Sequence, residues 1–251
     1  LLMCDKKHDH HALLSLLSSQ LHDDGYDNVT HEEAWRDNLH DTIIYVQQAE
    51  GCELVIKEHR PDNPLKKALL TPSDWKLLRQ CPCAVLMVKS ERPWTGGKIL
   101  AAVDVGNQDE DHRRLHASII DHGYAIAGLA KGELHVISAH PSPMLSASDP
   151  TYQLSEAIEN RYREACKAFQ AEYGISEDCL HVAEGPADVL IPFTEKKLDA
   201  VVTVIGTVCR TGSSGALIGN TSEVVLDELE GDVLVLKSEE AIAHQAELAR
   251  G

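Results

Sequence analysis

Apolar runs and the polar spacers between them order this chain before any other property does. In the C-terminal half, residues 98–103 form a short apolar run that ends at Asp104 and Gly106, as suits a parallel strand emptying into a loop. The pattern then predicts a helix over 113–130, a strand over 133–139, and a long helix over 152–173 closed by Gly174. A short strand over 179–183, a helix over 186–197 and a strand over 200–205 come next, followed by a glycine-rich stretch, a helix over 221–229 and a last strand over 233–236. Strands alternating with helices of ~10–20 residues imply right-handed crossovers. The predicted class is α/β, a doubly wound parallel sheet of Rossmann-like type covered by helices on both faces.

The same pattern occurs twice. Ala84-Val85-Leu86-Met87-Val88-Lys89-Ser90 and Asp232-Val233-Leu234-Val235-Leu236-Lys237-Ser238 read as one buried strand repeated 148 residues apart. That offset also pairs Ile43 with Ile191, Ile56 with Val204 and Leu78 with Leu226. A duplication is implied, with an incomplete first copy over 1–90, a linker over 91–97, a complete copy over 98–238 and a tail over 239–251. Subtracting the offset leaves the first copy without counterparts of 97–148, hence without its first two strands and first helix. Either the chain is a piece of a longer product, as the lack of an initiator methionine suggests, or its first half leans on its second. Pro93, Gly96 and Gly97 mark the hinge.

Composition narrows the function classes. With 251 residues and 43% apolar content, the chain suits one large or two ordinary domains. Its 23 basic and 40 acidic residues give a net charge of −17, which repels nucleic-acid phosphate and anionic lipid alike. No apolar run approaches the ~20 residues needed to span a bilayer, and the first residues lack a signal-peptide layout. A cytoplasmic protein without nucleic-acid or membrane partners is expected. Seven scattered cysteines do not make a secreted disulfide framework, so reduced thiols are the default.

The stretch from Gly206-Thr207-Val208-Cys209 through Gly212-Ser213-Ser214-Gly215 to Gly219-Asn220-Thr221 carries the most specific motif. It resembles the signature of the universal stress protein family, in which a glycine, two residues, a second glycine, nine residues, a third glycine and a serine or threonine follow in order. Cys209 stands at the middle glycine and Asn220 at the hydroxyl position. In the first half, Leu69-Leu70-Thr71-Pro72-Ser73-Asp74-Trp75 and the following Leu77-Leu78-Arg79-Gln80-Cys81-Pro82 are similar to the degenerate N-terminal domain of tandem E-type members. The resemblance implies an adenine-nucleotide site for ATP or AMP. In it Asp104 contacts the nucleoside, Ala139 flanks the adenine, and residues 206–221, including Gly206, Cys209, Gly212, Gly219, Asn220 and Thr221, wrap ribose and phosphates. Physically, a strand end, a glycine-rich turn and a helix N-terminus can direct backbone N–H groups at phosphate oxygens. The bland alternative is that these glycines only turn the chain. A β-carbon at Cys209 crowds the phosphate path, so ATP binding is expected to be weak.

The first copy offers less. Glu58 and Thr71 stand where Gly206 and Gly219 do, and Pro72 provides no N–H, which opposes phosphate binding and points to a structural or partner-facing half. His8-Asp9-His10-His11 has metal-compatible residue types but no downstream ligand at diagnostic spacing, and reads as a solvated helix start. Cys81-Pro82-Cys83 lacks a two-residue spacer and reads as core thiols, while Cys209 beside Arg210 is a candidate reactive thiol. No Walker lysine, no GxGxxG after the first strand and no nucleophile elbow is present. The expected function is therefore non-catalytic: a ligand-binding stress protein with partner surfaces. A slow ATP hydrolase using the 206–221 loop and a binder of a less polar, lipid-like ligand are the alternatives. Pairing of the two last strands, within one chain or between copies, is expected to cover their edges.

Overall fold

A computed structural model describes residues 1–5, 8–60, 70–107, 109–143, 154–207 and 220–248. The first half contains β1 (Leu2–Met3), α1 (His11–Asp23), β2 (Glu32–Glu33), α2 (Leu39–Glu50), β3 (Leu54–Glu58), α3 (Pro72–Gln80) and β4 (Ala84–Val88). The second contains β5 (Lys98–Ala102), α4 (Glu110–Ala130), β6 (Glu133–His140), α5 (Ser155–Tyr173), β7 (Leu180–Glu184), α6 (Ala187–Leu198), β8 (Val202–Thr207), α7 (Asn220–Glu228), β9 (Asp232–Lys237) and α8 (Glu239–Leu248). Shifting α2 and α3 by 148 residues lands them on α6 and α7, so the repeat is structural as well as sequential.

Seven strands form one sheet in the order β3-β4-β9-β8-β5-β6-β7. Every neighbouring pair is parallel except β4 and β9, which run antiparallel with Leu86 opposite Leu234. Those two leucines are themselves related by the repeat offset, so a pseudo-twofold axis passes between them. Each half thus covers the other's last strand, as the exposed-edge argument requires. Leu77, Leu78, Val85 and Met87 of the first half share one core with Val225, Leu226, Leu229, Val233 and Val235 of the second. The first half does lean on the second.

Two lysines tie this seam reciprocally. Lys89 Nζ donates to the carbonyls of Leu226, at 2.9 Å, and Leu229, at the end of α7. Its repeat partner Lys237 donates to the carbonyl of Cys81, at the end of α3. Cations are favoured at helix C-termini, where unpaired carbonyls concentrate negative charge. Burial lowers both ammonium groups to a pKa of about 8. Asp232 adds a third tie: its Oδ1 accepts from the backbone N–H groups of Lys89 and Ser90, and its Oδ2 from Trp94 Nε1 in the linker.

One expectation is extended and one corrected. The tail after 238 contains a helix, α8, which begins where Ala241 N–H donates to Ser238 Oγ and where Arg114 meets Glu239 at 2.6 Å. Its alanine- and glutamate-rich sequence has the propensity for it. The first half also keeps a trace of its second strand: β1 pairs in parallel with β2 as β6 pairs with β7. No first strand lies between β1 and β3 among the described residues, and Leu54 and Ile56 on β3 remain 43% and 64% exposed.

Candidate functional site

The second half has the strand order β9-β8-β5-β6-β7, so the chain runs outward from β5 through β6 to β7 and then returns to β8 on the other side of β5. Crevices at the carboxyl ends of strands form at such reversals. A cavity of about 230 Å³ lies there, between the ends of β5, β6 and β8. Asp104, Ala139 and Gly206 all line it, so the structure brings together three of the residues singled out from the sequence. Cys209, Gly212 and Gly219 lie outside the described residues. Asn220 and Thr221 open α7, and their side chains are likewise outside the described set.

Local geometry fixes the acidic residue at the cavity mouth. Asp104 Oδ1 accepts from the Gly106 N–H at 3.1 Å and from the Tyr162 hydroxyl at 3.2 Å. The Asp104 N–H donates to His116 Nε2 at 3.3 Å, which requires that nitrogen to be unprotonated. Burial pushes the His116 pKa down to about 4, so the ring stays neutral near neutral pH. Gly106 cannot carry a side chain, because a β-carbon there would come within 2.4 Å of the Tyr162 ring.

Gly206 has a related constraint. A β-carbon at Gly206 would lie 2.6 Å from Leu115 Cδ2 and 2.9 Å from Ile119 Cδ1. Close packing of α4 over β8 is therefore enough to favour glycine here, independently of what the cavity holds. Apolar side chains dominate the remaining wall: Leu115, Ile119, Ile137, Ile191, Ile205 and Val225. Sequence reasoning did not identify this wall, whose members come from α4, β6, α6, β8 and α7 and share no motif.

The corresponding corner of the first half is closed by its own ions. Asp74, fully buried, meets Lys57 Nζ at 2.6 Å and His59 Nδ1 at 2.8 Å, and accepts from the Thr71 N–H and hydroxyl at 2.9 and 2.8 Å. Thr71 returns the contact by accepting from the Asp74 N–H, completing a capping box at the start of α3. Burial alone would raise the Asp74 pKa, but the hydrogen bond and charge of Lys57, with Thr71 and His59, hold it below its ordinary value. An internal carboxylate thus sits at a helix start of the kind that attracts anions.

Two clusters go beyond the sequence motifs. Near the N-terminus, Asp5 Oδ2 lies 2.9 Å from both His8 Nδ1 and His10 Nε2, so Asp5, which the His8–His11 motif left out, joins two of its histidines. At the starts of β6 and β7, Glu133, His135, Cys179 and His181 converge. Cys81 and Cys83 are buried, with their sulfurs 3.6 Å apart.

The universal stress protein family model matches residues 4–89 and 97–237, the two halves of the pseudo-twofold. This chain belongs to the universal stress protein family. It is 34% identical to universal stress protein E of Escherichia coli strain K12 over 214 residues, 82% of this chain and 67% of that relative. The universal stress protein E homolog of Haemophilus influenzae is also 34% identical, over 81% of this chain and 68% of its own length. A crystal structure of a Pseudomonas aeruginosa UCBPP-PA14 protein is 67% identical, with a TM-score of 0.91 covering all of this chain and 86% of that one. A universal stress protein from Archaeoglobus fulgidus, 17% identical with a TM-score of 0.60, shares the fold.

Proposed function

We propose that the chain is a non-catalytic, cytoplasmic ligand-binding stress protein whose second half holds a small molecule and whose first half is structural. The carrying observation is the cavity at the strand-order reversal, with Asp104 at its mouth and Ala139 and Gly206 in its wall. In this reading Asp104 accepts from the polar end of an adenine nucleotide, and the 206–221 stretch, with Asn220 and Thr221 at the start of α7, faces its phosphates. Affinity is weak, because Cys209 replaces a glycine.

The apolar wall supports a second reading, in which the ligand carries an apolar group. Leu115, Ile119, Ile137, Ile191, Ile205 and Val225 offer such a group complementary surface, and His116 is neutral. Burying apolar ligand area contributes roughly 25 cal/mol per Å². Mass spectrometry of the denatured, freshly purified chain names any co-purified ligand: a nucleotide mass supports the first reading and an acyl-containing mass the second. ATP turnover that is abolished by Gly219→Glu would replace both with a hydrolase.

A further inference from the structure

At the end of the sheet opposite the cavity, four polar side chains from β6, β7 and the turn before β7 meet with no role in the reading above. Glu133 and His135 open β6; Cys179 closes a short 3-10 turn and His181 follows in β7. Glu133 Oε2 is 3.0 Å from His135 Nε2, and Cys179 Sγ is 3.5 Å from Glu133 Oε1. The three ligand atoms of Glu133, His135 and Cys179 all lie within 4.8 Å of one another. His135 Nδ1 is 3.1 Å from His181 Nε2, and the two rings stack 5.3 Å apart.

We propose that Glu133, His135 and Cys179 form a site for a zinc-class divalent cation, with His181 as a positioning residue for His135. Carboxylate oxygen, imidazole nitrogen and thiolate sulfur are the donor types that borderline-soft zinc accepts. Around a tetrahedral zinc such atoms stand ~3.3–3.7 Å apart, so modest side-chain rotation from the observed separations suffices. His135 and Cys179 are buried, whereas the Glu133 side chain is 60% exposed, which leaves an entry path and room for water as fourth ligand.

Charge and protons balance. Lys98 and Lys197 lie near enough to act on His181 and oppose a cation. A carboxylate and a thiolate offset the two positive charges of the ion itself. Burial raises the Cys179 pKa, so in the metal-free protein the sulfur keeps its proton and donates it toward Glu133. On binding, that proton leaves to solvent as the S–Zn bond forms. In the metal-free arrangement His135 Nε2–H donates to Glu133 and His181 Nε2–H donates to His135 Nδ1; with the metal on His135 Nε2, the His135 proton moves to Nδ1 and donates to His181 Nε2, whose own proton moves through solvent to Nδ1. Such a partner for the distal nitrogen is the usual way a ligating imidazole is oriented. The site would clip β7, the edge strand of the sheet, to β6. It stands about 13 Å along β6 from Ala139, from four residues of strand rise, so it is independent of the cavity's occupant.

The test is cobalt(II) titration of the full chain after chelator treatment, read by the thiolate-to-cobalt charge-transfer band and by competition with zinc. One equivalent is expected to give the band, and zinc to abolish it. The Asp5–His8–His10 cluster, having no sulfur, gives none. Cys179→Ser removes the band, and Glu133→Gln, at an exposed position that tolerates change, weakens affinity at least tenfold. His181→Phe weakens it ~10–100-fold while the band keeps its shape. Absence of a band in the folded protein, or a band that survives Cys179→Ser or is unaffected by Glu133→Gln, overturns the proposal.

Discussion

The buried Asp74 gives the sharpest quantitative expectation. Removing one member of a buried ion pair leaves its partner uncompensated and costs about 3–5 kcal/mol. Lys57 moderates that cost, because its side chain is 14% exposed and its Nζ also donates to the Glu58 carbonyl at 3.0 Å. Asparagine further retains an acceptor for Thr71 and hence most of the helix cap. Asp74→Asn should therefore lose about 3 kcal/mol at neutral pH, and Asp74→Ala, which also removes the acceptor for the Thr71 N–H and hydroxyl and so the reciprocal half of the capping box, about 1 kcal/mol more. At 2–4 °C per kcal/mol for a chain of this size, the asparagine variant should melt roughly 6–12 °C lower. The pH dependence has a fixed sign. Because the folded carboxyl titrates below its ordinary value of 3.8, the native state binds fewer protons than the unfolded one there. Its stabilisation is whole above 3.8 and is lost as pH falls through the folded value. Urea unfolding of both proteins down that range should show the gap closing. A variant within ~0.5 kcal/mol of the parent at neutral pH, or a gap unchanged in strong acid, refutes this account of the network.

Four further outcomes are expected. Lys89 titrates near 8 when folded but near 10.5 when unfolded, so the unfolded state binds more protons between those values and the parent gains stability with rising pH relative to Lys89→Met; parallel urea midpoints across that window would show no such gain if Lys89 were exposed. Gly206→Ala places a β-carbon 2.6 Å from Leu115 and should cost ~1–3 kcal/mol by overpacking, with Leu115→Ala in the same chain recovering part of it; additive losses would disprove the contact. Ile56→Lys on the open side of β3 should reduce concentration-dependent association in sedimentation velocity, and an unchanged profile would clear that edge of responsibility. Cys209→Gly should tighten ATP binding about tenfold by calorimetric titration if position 209 takes the positive φ that the glycine of the family signature would allow, where a side chain costs ~1–2 kcal/mol; tight binding by the unmodified chain, or no gain, removes Cys209 as the obstacle.

Much of the fold was readable because it rests on local periodicity. The helix expected over 186–197 is observed at Ala187–Leu198, and the one expected over 221–229 at Asn220–Glu228. The apolar runs around Val85 and Val233 identified the seam because both strands are buried on both faces, and only a doubled pattern explains them. What joins residues across strands was not readable. Lys57, His59 and Asp74 are 15 to 17 positions apart, and Cys179 is 46 from Glu133, so no motif announces either cluster. Packing of α3 against the end of β3 brings the first cluster together, and strand register the second: Val136 pairs with Leu180, which sets His135 and Cys179 side by side. Asp104 and Ala139 were found only through family resemblance, and the apolar wall they adjoin was not found at all.

The two halves answer the same electrostatic problem differently. A helix start at the carboxyl end of a parallel strand presents N–H groups that favour negative charge, and duplication creates two such corners. In the first half the corner between β3 and α3 is satisfied internally, because Asp74 takes the Thr71 N–H and Lys57 balances its charge. An incoming phosphate there would have to displace a fully buried carboxylate and meet Glu58 beside it. In the second half the residues at the offset positions of Lys57 and Glu58 are Ile205 and Gly206, both uncharged and both lining the cavity. The half that supplies its own anion also supplies Lys89 and much of the shared core to the other, so the corner that is satisfied internally belongs to the half that also has a structural task. Substituting Asp74 therefore tests stability, and substituting the cavity wall tests binding, with no reason for either readout to follow the other.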